Sequence, residues 1–111
     1  MAYIQAMKGL HLTADLYRCR CEAHWLSDAA RLQAWCASAA QAVGLEPVAH
    51  AFHSTGDGGA SGTVLMGGAH VCIHTWPAGK AVAADVYVGD TATDQSAKAR
   101  GLMDALVNRF Q

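Results

Sequence analysis

The stretch GGAHVCIHTWPAG, residues 67–79, contains the clearest structural pattern in the chain. Between two glycine-containing turns, polar or reactive side chains alternate with β-branched ones, which is the two-residue period of a strand with one buried face. One set comprises His70, Cys72, His74 and Trp76, and the other comprises Val71, Ile73 and Thr75. The pattern predicts a strand with an apolar face and a chemically reactive face.

Four further β-rich runs surround this strand. They are GLHLTADLY at 9–17, PVAHAFH at 47–53, SGTVLMG at 61–67 and AVAADVYV at 81–88. The first run alternates in the same way, which predicts the first strand of the domain. From residue 47 onward the runs are separated by short segments rich in glycine or containing proline, and such short connections favour an antiparallel meander.

Two amphipathic helices are predicted from capping residues and apolar stripes. Ser27 or Asp28 can cap the first helix and Gly44 ends it, while Thr91 and Asp94 fit a capping box for the second. The stripes comprise Leu32, Trp35, Cys36, Ala39 and Val43 in the first helix and Leu102, Met103, Leu106 and Phe110 in the second. The order β-α-β-β-β-β-α predicts a single α+β domain over residues 1–111, a two-layer sandwich with the helices on one face of an antiparallel sheet.

Length and charge restrict the classes of partner. The chain has 111 residues, a formal net charge of -1 and scattered Lys and Arg residues, so it offers neither a basic stripe for nucleic acid nor a polybasic membrane patch. Without a secretory signal or a long apolar run, the predicted location is the cytoplasm. A domain of this size encloses a deep cleft more readily with a second copy, so we expect a homodimer.

The four cysteines are expected to be reduced in that compartment. Cys72 is either a nucleophile activated by His70 or His74 or a small buried side chain, and the second interpretation is favoured because no orienting partner or oxyanion hole is recognisable. The CxC pair Cys19 and Cys21 could hold a soft metal but lacks the usual CxxC spacing.

The histidines are expected to line a cleft rather than to bind a metal. Residues at i, i+2 and i+4 of a strand are spread too far apart to reach one ion. An alternative metal site would combine His70 or His74 with His11, His50 or His53 of neighbouring strands. The predicted ligand cleft comprises His11, His53, Cys72, Trp76 and Asp85. Asp85 is the one carboxylate in an otherwise apolar strand and needs a partner, for which His74 or another strand histidine is the candidate.

Five segments together resemble one known family. GLHLTADLY, HAFHS, SGTVLM, HVCIHTWP and AADVYV occur in the same order and spacing as in bacterial-type S-adenosylmethionine decarboxylases, over nearly the whole chain. In that family a serine in a Glu-Ser-His triplet cleaves its own chain and becomes a pyruvoyl group, the electron sink for decarboxylation. The resemblance implies the same α+β fold and active sites at a dimer interface.

The resemblance also implies roles for individual residues. His70 matches the histidine of the triplet, while His74 and Ser61 match residues that assist self-processing. The serine itself is replaced by Ala69, which has no hydroxyl with which to attack a carbonyl, and the glutamate before it is replaced by Gly68. We therefore expect no pyruvoyl group and no other cofactor.

Two further departures fall on the chemistry of the family. The proton-donating cysteine aligns with Gly89, and a glutamate that resembles a ribose-binding carboxylate aligns with Ala78. The strand patterns around these positions persist. The chain keeps the strand patterns of the family but lacks its catalytic residues. This combination favours the interpretation that the chain is a non-processing member of the family.

The sequence therefore supports three functional hypotheses. The first is a binding or regulatory protein related to spermidine biosynthesis, a homodimer or a partner of an active decarboxylase paralogue, with a nucleoside or a polyamine as candidate ligand. The second is an enzyme that reuses the cleft histidines or Cys72 in a metal-dependent or covalent reaction. The third is a decarboxylase that processes itself at another residue. Metal content and decarboxylase activity distinguish them.

Overall fold

The computed structural model describes residues 9–89 and 93–111. Its elements are, in chain order, β1 (Gly9–Leu16), α1 (His24–Ser27), α2 (Ala29–Ala42), β2 (Pro47–Ser54), β3 (Ala60–Met66), β4 (Ala69–Trp76), β5 (Ala81–Gly89) and α3 (Ser96–Phe110). The predicted order of strands and helices is confirmed, with one addition. The four-residue helix α1 comes directly before α2.

The five strands form one antiparallel sheet in the order β1-β5-β4-β3-β2. Strands β2 to β5 are the predicted meander, and β1 pairs with β5 at the other edge. Strand β4 is central and is therefore hydrogen-bonded along both sides. Because directly paired residues share a face of the sheet, the register decides which side chains meet.

All three helices lie on one face of this sheet. Helix α2 contacts β2 and β3, α3 contacts β1 and β5, and α1 contacts β4. The core between the two layers includes Leu32 and Cys36 of α2, Leu102, Leu106 and Phe110 of α3, and Val71, Ile73 and Val86 of the sheet. The prediction of a two-layer α+β sandwich is thus confirmed, and none of the helices in residues 9–89 and 93–111 covers the opposite face of the sheet.

Both ends of α2 follow from local chemistry. The Asp28 carboxylate accepts a hydrogen bond of 3.0 Å from the backbone N–H of Arg31, so Asp28 rather than Ser27 caps the helix. Gly44 follows the helix with φ +89°, a left-handed conformation that only glycine adopts without strain. The predicted cap and stop of this helix are both confirmed.

Helix α3 begins later than its predicted capping box. The helix starts at Ser96, whose backbone N–H donates to the Asp94 carboxylate at 2.9 Å, and Thr91 lies outside the described residues. The predicted apolar stripe of this helix is buried as expected. None of the helices in the described part of the chain is long and apolar enough to cross a membrane.

Candidate functional site on the exposed face of the sheet

Most of the candidate site residues lie on the face of the sheet opposite the helices, which we call the exposed sheet face. The strand register places them in three of the rows of side chains that cross the strands. The rows are His53, Ser61, His74, Ala83 and Asp15; then Ala51, Thr63, Cys72, Asp85 and Thr13; then Ala49, Leu65, His70, Tyr87 and His11. The predicted division of β4 into an apolar and a reactive face is confirmed by its alternating burial.

Ser61 and His74 form a hydrogen-bonded pair on this face. The two residues are directly opposite each other on β3 and β4, and Ser61 Oγ lies 2.7 Å from His74 Nδ1. His53 is opposite Ser61 on β2, and the Trp76 ring is tilted against the His74 ring with centroids 6.2 Å apart. A shallow cavity of about 250 Å³ lies over this pair. A serine bonded to an imidazole can exchange a proton with it.

A second polar group, the histidine–aspartate cluster, consists of His11, His70 and Asp85. The Asp85 Oδ1 atom lies 2.8 Å from His70 Nε2 and 3.4 Å from His11 Nε2. The Tyr87 ring lies beside both imidazoles, with centroids 5.9 Å from His70 and 6.0 Å from His11. The predicted histidine partner of Asp85 is present, and it is His70 together with His11 rather than His74.

The structure therefore divides the reactive face of β4 between two sites. His70 and His74 are four residues apart, about 13 Å along an extended strand, and each belongs to a different group. Cys72 lies between them, and its thiol donates a hydrogen bond of 3.2 Å to Thr63 Oγ1. In the described part of the chain, no hydrogen bond joins this thiol to a histidine. This geometry agrees with the interpretation of Cys72 as a packed side chain.

Of the histidines proposed for an alternative metal site, His11 lies close to His70, whereas His50, His53 and His74 do not join them. His50 is opposite the buried Val64, and its Nε2 lies 2.8 Å from the side-chain nitrogen of Gln33 on α2, so it is on the helix side of the sheet. His53 and His70 lie in different rows. Within residues 9–89 and 93–111, the one group of three potential ligands whose atoms lie within 4.8 Å of one another is the histidine–aspartate cluster.

The CxC segment lies outside the histidine–aspartate cluster. Burial raises the pKa of both thiols, Cys19 and Cys21. His24, which is close to this segment in the sequence, lies 3.4 Å from Glu22.

Residue 69 lies at the far end of β4 from the serine–histidine pair. Gly67 and Gly68 form a two-residue turn between β3 and β4, and Ala69 follows with its side chain on the helix side and only 8% exposed. The Gly68 carbonyl accepts a hydrogen bond of 3.0 Å from the Gly89 backbone N–H. Ala69 and His74 are five positions apart, about 16 Å along the strand.

A larger cavity, of about 670 Å³, lies beyond the other end of β4. Its lining includes Arg18, Arg20, Lys80 and Ala78, and none of the acidic side chains that the structure describes contributes to it. Arg18 lies in the loop at 17–23 and Lys80 in the loop at 77–80, and both residues have positive φ. The Lys80 carbonyl accepts a hydrogen bond from the Cys19 N–H, which connects these two loops. Sequence reasoning did not predict this basic cavity, although alternation of Arg18 and Arg20 with the cysteines was visible.

Sequence reasoning also missed two neighbours on the exposed sheet face. Thr63 bonds the Cys72 thiol, and Tyr87 flanks both imidazoles of the histidine–aspartate cluster. Tyr87 could have been predicted from the alternation of side chains along a strand. Because it is two residues after Asp85, its side chain lies on the same face.

The fold and the site together define a two-layer α+β protein. Its serine–histidine pair and its histidine–aspartate cluster lie on the face of the antiparallel sheet that the helices do not cover. The model of the S-adenosylmethionine decarboxylase family matches residues 10–111, and the chain belongs to that family. The crystal structure of the adenosylmethionine decarboxylase from Aquifex aeolicus superimposes with a TM-score of 0.77 at 27% identity, covering 96% of this chain and 82% of the other.

Bacterial S-adenosylmethionine decarboxylase proenzymes are similar in sequence. The protein from Carboxydothermus hydrogenoformans is 37% identical over 84 residues, covering 75% of this chain and 65% of the relative. The protein from Syntrophomonas wolfei is 35% identical over 79 residues, covering 71% and 61%. The protein from a Hydrogenobaculum species is 31% identical over 100 residues, covering 90% and 70%. The matches to the first two proteins thus span slightly less than two thirds of their length.

Proposed function

We propose that this chain is a non-processing member of the S-adenosylmethionine decarboxylase family that acts as a binding or regulatory subunit in spermidine biosynthesis. The observation that carries the proposal is Ala69. It occupies the position at which the family resemblance places the pyruvoyl-forming serine, and its methyl group cannot attack the preceding carbonyl. The residues present therefore do not fit a pyruvoyl group.

Ser61 and Ser54, the serines of the neighbouring strands, are poorly placed to replace the missing hydroxyl. Ser61 is opposite His74 on β3, so it is about 16 Å along the sheet from the peptide bond between Gly68 and Ala69 in the same chain. Ser54 is farther still, at the end of β2. A reaction of this kind requires the attacking oxygen within about 3.5 Å of the carbonyl carbon.

The exposed sheet face supports self-association as a dimer. An antiparallel sheet can leave one face in water, but this face carries Leu65 and Trp76 at 45% and 44% exposure among small and polar side chains. The separation of Ala69 from His74 also means that groups at the two ends of β4 meet only if a second copy supplies one of them. The same face offers a surface for an active decarboxylase paralogue.

The basic cavity supports a change of ligand. Ala78 stands where the resemblance places a ribose-binding carboxylate, and Arg18, Arg20 and Lys80 line the same cavity. S-adenosylmethionine and polyamines are themselves cationic. Three cationic side chains without a carboxylate among them disfavour the binding of such ligands, because like charges repel. At this cavity we expect a nucleoside that carries a negatively charged group.

The deciding experiment is intact-mass spectrometry of the freshly purified protein under denaturing conditions, repeated after borohydride treatment with S-adenosylmethionine. We expect one uncleaved mass and no reduced adduct. Two fragments or an adduct would show that another residue forms the pyruvoyl group. Ala69→Ser and Ala69→Gly are matched variants, since only the first restores a hydroxyl; an active family decarboxylase provides the positive control.

The regulatory role has a separate test. The purified chain is titrated into an active S-adenosylmethionine decarboxylase, and released carbon dioxide is measured together with the mass of the complex. A mixed complex with altered kcat/KM supports the proposal. Unchanged activity with no mixed complex would restrict the function to ligand binding by the homodimer.

A further inference from the structure

Asp85 lies on the exposed sheet face, and no lysine or arginine of the described residues forms an ion pair with it. None of the five strands contains a basic residue other than histidine. The ion pairs formed by Asp85 among the described residues are those to His11 and His70, and its side chain is only 33% exposed. A partly buried carboxylate is stabilised by a nearby cation, and here the available partners are two imidazoles.

The geometry of the histidine–aspartate cluster matches a metal coordination shell. In a tetrahedral zinc site with bonds of about 2.0–2.1 Å, neighbouring ligand atoms are roughly 3.3 Å apart. The Asp85 oxygen lies 2.8 Å from one imidazole nitrogen and 3.4 Å from the other, and all three ligand atoms lie within 4.8 Å of one another. Small side-chain rotations would bring the three atoms around one ion.

We propose that His11, His70 and Asp85 bind a divalent transition-metal ion, with zinc as the best fit. Two imidazoles and one carboxylate are a ligand set used by zinc enzymes and by non-haem iron sites, and both leave a coordination position for water or substrate. The His11 side chain is 53% exposed, so one side of the cluster is accessible in the single chain.

The strands hold these ligands in place before the metal arrives. Asp85 is on β5, which is paired on one side with the strand of His11 and on the other with the strand of His70. The Tyr87 ring packs beside both imidazoles and restricts their rotation. Ligands supplied by three adjacent strands need little ordering on binding, which favours affinity.

The test uses the untagged full chain after removal of metals with a chelator. Isothermal titration with zinc chloride should show one equivalent bound per chain, and cobalt(II) should give visible bands of a four- or five-coordinate ion without a sulfur-to-cobalt charge-transfer band. Asp85→Asn and His11→Ala should each weaken zinc binding at least tenfold. His53→Ala is the matched control, because His53 is an exposed histidine on the same face outside the cluster. The zinc affinity of this variant should equal that of the wild-type chain.

Three results would overturn this proposal. They are absence of zinc uptake by the wild-type chain, equal affinity in the Asp85→Asn and His11→Ala variants, and loss of binding in a Cys19→Ser/Cys21→Ser variant. The cobalt spectrum of the wild-type chain remains decisive even if one variant fails to fold. The experiment measures metal binding and not cleavage of the chain. Its outcome is therefore independent of the proposal that the chain does not process itself.

Discussion

At the scale of single residues, Thr75 connects the sheet to two other segments. This residue is 2% exposed, its hydroxyl donates to the Leu26 carbonyl at 2.6 Å, and it accepts a hydrogen bond from the Ala60 N–H at 2.9 Å. The apolar face of β4 thus contains one polar atom with both partners in place. Such a buried group fixes the position of its neighbours because leaving them unpaired is costly.

Thr75→Val should lower the free energy of unfolding by about 1–3 kcal/mol, because valine keeps the shape but leaves the Leu26 carbonyl and the Ala60 N–H without a partner. Urea denaturation followed by circular dichroism measures the loss. Thr63→Val is the control. Its hydroxyl is closer to solvent, so we expect a smaller effect there, and equal losses in the two variants would contradict the argument.

Cys36 gives a pH-dependent prediction at the same scale. Complete burial raises the pKa of its thiol to about 12. Above about pH 8.5 the unfolded chain loses this proton while the folded chain keeps it, so stability should fall as the pH rises through that range. Denaturation curves measured across the alkaline range should show a shallower decrease for Cys36→Ala. An identical pH dependence in both proteins would exclude a contribution from this thiol.

At the scale of the elements, the start of α2 depends on one side chain. Asp28 follows the short helix α1 and bonds the Arg31 N–H, which lets the chain end one helix and begin another within two residues. Asp28→Ala should cost about 1 kcal/mol of unfolding free energy, whereas Asp28→Ser should retain most of the stability because serine also caps. Thermal and urea denaturation test this, and equal stability of all three proteins would contradict the capping role.

At the scale of the whole molecule, the exposed sheet face is the surface that the helices do not cover. If two copies associate through it, a charge at Leu65 should separate them, because Leu65 lies on this face near the central strand and is 45% exposed. Leu65→Arg should convert a dimer into a monomer in light scattering after size-exclusion chromatography. Val48→Arg is the control, since Val48 is exposed at the bulge of the edge strand β2. A dimer that survives Leu65→Arg but not Val48→Arg would place the interface elsewhere.

Local sequence determined the elements of this protein and their faces. The alternation in residues 69–76 was enough to assign His70, Cys72 and His74 to one side of a strand, because side-chain direction alternates strictly along extended backbone. Asp28 and Gly44 marked the ends of α2 because a helix end must satisfy free N–H groups or leave the right-handed region. The replacement of a serine by Ala69 was likewise evident from the family motif.

Tertiary structure alone decided which of these side chains meet. Asp85 lies close to two histidines because β5 lies between β1 and β4. The register of β2 instead places His50 on the helix side of the sheet, opposite Val64. The sequence did not reveal the basic cavity, since it joins two loops that are distant along the chain. Strand order and register depend on the packing of the whole sheet against its helices, and a one-residue shift in register would exchange the two faces.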